Sequence, residues 1–103
     1  MANWVRVIEA RKVKQGELRG VSVEKVPVVL ANVEGSIYAL RDECSHEDYP
    51  LSDGEIEGDE IVCLYHGAAF ECATGKNTAL PAVRPVTSYP VEVRDGEIFV
   101  DVG

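Results

Sequence analysis

Two short runs of the chain carry residue types that bind soft metals: Glu43-Cys44-Ser45-His46 and, sixteen residues further on, Cys63-Leu64-Tyr65-His66. The pattern is C-x-H, x16, C-x-x-H, and its two histidines are the only ones in the 103 residues. Thiolate and imidazole suit iron–sulfur clusters, zinc or copper. Each run offers one sulfur and one ring nitrogen from a short stretch of chain. On a rhombus of two irons and two sulfides, both runs could approach from one side, sulfurs to one iron and imidazoles to the other. Replacing two thiolates by neutral imidazoles removes negative charge, so the reduced state is easier to reach than in a four-cysteine cluster.

Structural zinc also accepts two cysteines and two histidines, but usually with like ligands paired as C-x2–4-C and H-x3–5-H. The interleaved order here is poor zinc-finger spacing. A Cys/His hydrolase needs one nucleophile and one base, and leaves the duplicated pattern unexplained. The third cysteine, Cys72, lies outside both runs and reads as a non-ligand thiol. Three cysteines is an odd number, which speaks against a pure disulfide framework.

These runs must be mounted on something, and the rest of the chain reads as strands. Residues 4–9, 18–24, 26–32 and 36–41 are apolar-rich and joined by short connections, Glu34-Gly35 among them, which predicts an antiparallel meander. Residues 89–94 and 97–102 flank Asp95-Gly96, the strongest hairpin signal in the sequence, and Ile98, Val100 and Val102 share one face at period two. No stretch has a capped helical period; residues 12–18 predict a turn of helix at most. Between about 42 and 86 the pattern is broken by Asp, Gly and Pro, with only residues 60–64 and 69–71 reading as short strands. Every histidine and every cysteine lies in that stretch. Trp4, Tyr38 and Phe99 read as core or half-buried aromatics rather than electron relays.

Composition bounds the answer further. A length of 103 residues fits one domain, and 46% apolar with 27% charged residues is ordinary for a globular protein. The longest aliphatic run, residues 26–31, falls far short of the roughly 18 needed to span a bilayer. The N-terminal Met-Ala-Asn-Trp-Val-Arg lacks a basic n-region and an apolar h-region, so a cytoplasmic protein is expected. The net charge of −8 is unevenly spread: residues 1–41 carry +3, residues 42–60 carry −9 with no Lys or Arg, and residues 61–103 carry −2. Such an acidic block repels nucleic acid and anionic lipid, and either steers a basic protein partner or serves as a solvated face.

Cys44-Ser45-His46 and Cys63-Leu64-Tyr65-His66-Gly67 resemble the two cluster-binding boxes of Rieske proteins. The likeness continues through Gly67-Ala68-Ala69-Phe70, Thr74-Gly75, Leu80-Pro81-Ala82, Pro85-Val86 and Tyr89-Pro90-Val91-Glu92-Val93. That order is similar to the small Rieske-type ferredoxins of bacterial ring-hydroxylating dioxygenase systems over nearly the whole chain. The resemblance implies one Rieske [2Fe–2S] cluster, with Cys44 and Cys63 on the inner iron and His46 and His66 on the outer one. It implies an all-β Rieske fold of three stacked antiparallel sheets in a single domain over residues 1–103. The base would be about 1–41 and 87–103, the inserted loop-rich cluster-binding subdomain about 42–86, and residues 81–85 the proline loop over the cluster.

The expected role is a soluble, monomeric one-electron carrier, not itself an enzyme. It would dock transiently with a flavin-dependent ferredoxin reductase and a terminal Rieske oxygenase, and bind neither nucleic acid nor membrane. A second reading is a Rieske-like small subunit of an oxidoreductase such as nitrite reductase, although many of those lose ligands that all stand here. A third is a zinc-stabilised interaction module, which would be colourless where a Rieske protein is red-brown. Departures from the high-potential members of the family bear on tuning. Where those carry a disulfide-forming cysteine pair, this chain has Tyr49 and Tyr65; where they place hydroxyl donors after the second box, it has Ala68 and Phe70. Fewer donors to the cluster sulfurs lower the potential, which predicts a value on the order of −150 mV.

Overall fold

A computed structural model of the chain describes residues 3–43, 50–64, 67–80 and 84–103. Its strands, in chain order, are β1 (Val5–Glu9), β2 (Leu18–Val23), β3 (Val26–Val33), β4 (Ser36–Arg41), β5 (Glu55–Glu57) and β6 (Glu60–Val62). They continue as β7 (Ala69–Glu71), β8 (Asn77–Ala79), β9 (Ser88–Tyr89), β10 (Val91–Arg94) and β11 (Glu97–Val100). The helical content among the described residues is two 3-10 turns, Ala10–Lys12 and Leu51–Asp53. The protein is all-β, with three antiparallel sheets in the orders β1-β11-β10, β2-β3-β4-β9 and β5-β6-β7-β8.

The second sheet is the middle layer, and β3 shows why. Val28, Val29, Leu30 and Ala31 are consecutive and all at most 1% exposed. Successive side chains of a strand point to opposite faces, so an unbroken apolar run needs cover on both. Val28 and Leu30 pack with Ile98 and Val100 of the first sheet, while Val29 and Ala31 pack with Ile61 and Phe70 of the third. The same apolar run therefore ties one sheet to each face of the centre. Asn32 ends the run: its amide donates to the Val13 carbonyl at 2.7 Å, and its side-chain oxygen accepts the Gly35 N–H at 2.8 Å. Those bonds satisfy a buried polar side chain and shape the turn after β3.

The hairpins follow their turn residues. Asp95 and Gly96 have φ of 51° and 76°, and Glu34 and Gly35 have 52° and 95°, left-handed at both central positions as a type I′ turn requires. Three expectations need correction. Residues 89–94 are not one strand: β9 pairs with β4 in the second sheet and β10 with β11 in the first. The break falls at Pro90, which has no N–H to give a ladder, so the chain changes layers there. The helical turn expected within residues 12–18 lies instead at Ala10–Lys12, because the Gly16 N–H is taken by the Asn32 carbonyl at 2.8 Å. The strand expected over residues 97–102 ends at Val100.

Candidate metal centre

Of the four ligands expected from the sequence, Cys63 is placed; Cys44, His46 and His66 lie outside the described residues, as do residues 81–83 of the expected proline loop. Cys63 follows β6, and its position is fixed by the register of the third sheet. Val62 stands opposite Glu55 on β5 and opposite Ala69 on β7, and Ala69 stands opposite Ala79 on β8. One end of the sheet is therefore formed by residues just before β5, just after β6, just before β7 and just after β8. That end gathers Asp53 and Gly54, Cys63 and Leu64, Gly67 and Ala68, and Leu80.

The Cys63 N–H donates to the Ala68 carbonyl at 2.7 Å, closing the chain between β6 and β7 back on itself. Its side chain is buried in a cluster with Leu51, Ile61, Ala68 and Phe70. A cleft of about 320 Å³ opens beside it, lined by Asp53, Gly54, Glu55, Val62, Leu64 and Gly67 as well as Cys63 itself. A soft sulfur donor in apolar surroundings beside a shallow opening suits an iron–sulfur group held near a surface. Positions 68 and 70, where hydroxyl donors would tune such a group upward, bring only apolar atoms, and both are fully buried.

Cys72 is set apart by the same register. It follows Glu71, which pairs with Glu60 at the other end of β6 and β7. Its N–H donates to the Asp59 carbonyl at 2.9 Å. Asp59 and Cys63 are four residues apart along the sheet, a distance of roughly 13 Å at strand rise. Burial, reinforced by the carboxylates of Asp59, Glu60 and Glu71, pushes the Cys72 thiol up to about 11.

Side chains that no motif announces hold the surrounding segments. The Asp42 carboxylate accepts the Ser52 N–H and the Ser52 hydroxyl, each at 2.7 Å. The Arg41 guanidinium meets Glu43 at 3.3 Å. Its pKa is raised by a hydrogen bond with Tyr89 first and by Glu43 second. Gly75 takes φ +78°, and its carbonyl accepts the Val86 N–H at 2.9 Å. A Cβ on Gly75 would stand 2.1 Å from the Val86 carbonyl oxygen, so only glycine permits this approach. Thr74-Gly75 is visible in the sequence as punctuation; the Asp42–Ser52 pair, ten residues apart, has no sequence signal.

Comparison with known proteins bears on this geometry. The family model for the Rieske [2Fe-2S] domain matches residues 3–90. The 3-phenylpropionate/cinnamic acid dioxygenase ferredoxin subunit of Escherichia coli (strain K12) is 43% identical over 101 residues, covering 97% of this chain and 94% of the relative. Among solved structures, a ferredoxin of Sphingomonas yanoikuyae B1 superposes with TM-score 0.92 at 34% identity, covering 98% of this chain and 100% of that one. A chain from the complex of reduced oxygenase and oxidized ferredoxin in carbazole 1,9a-dioxygenase gives TM-score 0.89 at 35% identity, covering 95% and 92%. The all-β fold in three sheets, the match to the family model and the near-complete overlap with ferredoxin components lead to one conclusion: the chain belongs to the Rieske [2Fe–2S] family, as an electron-transfer ferredoxin with one Rieske-type cluster rather than a catalyst.

Proposed function

We propose that this chain carries single electrons from a flavin-dependent ferredoxin reductase to a terminal Rieske oxygenase, with Cys44, His46, Cys63 and His66 as the cluster ligands. When bound, the cluster takes up and gives back one electron at a time. The chain's own residues bind it, insulate it and present it. The observation that carries this reading is the composition of the sheet end where Cys63 sits. Leu64 and Leu80, 64% and 78% exposed, stand at that end, just beyond β6 and β8. Exposed Asp53 and Glu55 border the same end. Large exposed apolar side chains ringed by charge are the usual make-up of a contact patch for a protein partner.

The partners enter by likeness: the relatives are ferredoxin components of dioxygenase systems, and one such ferredoxin is seen with its oxygenase. Those names favour a detachable carrier over a small subunit of nitrite reductase. The division into a base of residues 1–41 and 87–103 and a cluster-binding subdomain of residues 42–86 belongs to the same reading. It is supported by the third sheet, whose strands all lie within residues 55–79. A monomer in the cytoplasm, docking transiently, completes the proposal. Among the described residues no helix is long and apolar enough to cross a membrane.

The test is electron paramagnetic resonance of the reduced protein together with iron and acid-labile sulfide analysis. Mixed nitrogen and sulfur ligation is expected to give a lower average g-value than an all-sulfur cluster. Replacement of His46 and His66 by alanine is expected to abolish that signal. A signal that survives the double replacement overturns the ligand assignment. Failure of the holoprotein to couple a flavin-dependent reductase to any ring-hydroxylating oxygenase of the relatives' class overturns the carrier role.

A further inference from the structure

We infer that Gly20, Asp42 and Ser52 form a polar staple that sets the first ligand run against the second and governs how firmly the chain holds its iron. The inference rests on the assignment of Cys44, His46, Cys63 and His66 as ligands. Both bonds of the staple are short and go to one carboxylate: Ser52 N–H to Asp42 Oδ1 at 2.7 Å, and Ser52 Oγ to Asp42 Oδ2 at 2.7 Å. Hydrogen bonds to an ionised group are about twice as strong as neutral ones, and a pair of them fixes orientation as well as distance.

Each end of the staple is itself anchored. On the upstream side the Asp42 N–H donates to the Pro27 carbonyl at 3.0 Å and the Arg41 N–H to the Thr87 carbonyl at 2.9 Å. These bonds tie residue 42 to β3 and to the segment entering β9. On the downstream side Leu51, next to Ser52, is fully buried in the cluster that holds Ile61, Cys63 and Phe70. Asp42 is thus tied to the middle sheet and Leu51 to the core around Cys63, and Cys44 and His46 fall between them in the sequence. The staple closes that span and transmits the position of one run to the other.

Gly20 is the third part. It lies inside β2, where glycine costs stability against alanine and its backbone does not take a left-handed φ. What it supplies is room: a Cβ there would stand 2.9 Å from Asp42 Oδ2, 2.9 Å from Ser52 Oγ and 3.3 Å from Ser52 Cβ. A methyl group at position 20 would therefore wedge directly into the pair.

The experiment uses the purified holoprotein and reads release of iron to a ferrous chelator under reducing conditions, beside the g-values of the reduced cluster and the melting temperature. Asp42→Ala and Gly20→Ala are expected to speed iron release about tenfold or more, with Ser52→Ala in between. Asp42→Asn is expected to stay near the wild-type rate, because its amide oxygen still accepts the Ser52 N–H while the hydroxyl turns to accept from the amide nitrogen. Gly20→Ala is expected to add little once Asp42 is alanine, since the two changes break one contact. A purely scaffolding pair would lower the melting temperature while leaving iron release and g-values unchanged in Ser52→Ala and Asp42→Ala. Wild-type release rates in both Asp42→Ala and Ser52→Ala overturn the staple, even if the wild type is fully loaded. Should Asp42→Ala or Gly20→Ala not fold, a wild-type release rate in Ser52→Ala alone does so. A wild type devoid of iron and labile sulfide overturns the ligand assignment, and the staple's role with it.

Discussion

Buried at 1% exposure and within the field of three carboxylates, Cys72 has its chemistry set by its neighbours. Its thiol rises from 9.0 to about 11, first through burial and then through Asp59, Glu60 and Glu71. The neutral form is favoured in the fold, so the contribution to stability is present below pH 9 and is lost as pH rises through about 11. That rise corresponds to on the order of 2–3 kcal/mol. Urea unfolding of the protein from pH 8 to 11 is expected to show that loss, and Cys72→Ala to remove most of the slope between pH 9 and 11. An identical slope in the variant would assign the loss to other groups. At the candidate centre, Ala68 and Phe70 bring no hydroxyl near Cys63. The midpoint potential is expected on the order of −150 mV, and a clearly positive value in a redox titration would reject the argument from missing donors. Ala68→Ser adds one donor; a hydrogen bond of about 1 kcal/mol corresponds to about 40 mV for one electron, so a rise of that size is expected. The type of cofactor was legible from residues, because two histidines each paired with a cysteine leave few chemistries; of the four proposed donors, Cys63 is the one among the described residues. The isolation of Cys72 was legible only as a leftover; its cause is a pairing of Glu60 with Glu71 that no local pattern encodes.

At the scale of elements, legibility tracked how much apolar pattern each strand carries. β3 and β11 announce themselves by valine, leucine and isoleucine. β5, which is Glu-Ile-Glu, and β8, which is Asn-Thr-Ala, have three residues each and were not expected at all. They are sheet edges, held by a single ladder, and polar faces cost them nothing in water. β9 was hidden in another way, since Ser88 and Tyr89 read as the start of β10 until Pro90 is seen to divide the sheets. Contacts between irregular segments were invisible for the same reason: the approach of Gly75 to Val86 joins residues that share no periodic pattern. That approach yields a prediction. Gly75→Ala meets both a left-handed φ and the Val86 carbonyl oxygen at 2.1 Å, so a loss of roughly 2–4 kcal/mol is expected in denaturant unfolding. Gly58→Ala is the control, with φ +64° and nothing within 4 Å, and about 1 kcal/mol is expected there. Equal losses in the two variants would mean that backbone strain alone accounts for Gly75.

Across the whole molecule, charge is sorted by layer. Residues 1–41 and 87–103, which build the first two sheets, carry no net charge, while residues 42–86, which build the third, carry −8. Asp53, Glu55, Glu57 and Asp59 are exposed on or beside the third sheet, so the net negative charge is concentrated on the layer that holds Cys63. A partner with a basic socket would be turned toward that layer before contact, which raises association rates by about 10- to 1000-fold at low salt. Screening removes this, because the Debye length falls from about 30 Å at 0.01 M salt to about 3 Å at 1 M. Electron transfer measured by stopped flow against a reductase or oxygenase of the relatives' class is therefore expected to slow about tenfold or more over that range. Reversing charge with Asp53→Lys and Glu55→Lys should slow the low-salt rate and bring it level with wild type at high salt. Leu64→Ser and Leu80→Ser act on the contact itself, not the approach, and should slow transfer at every salt concentration. If the lysine variants match wild type throughout the range, the acidic layer does no steering and serves solubility alone. If only the leucine variants fall, the apolar pair at the end of β6 and β8 carries the docking by itself.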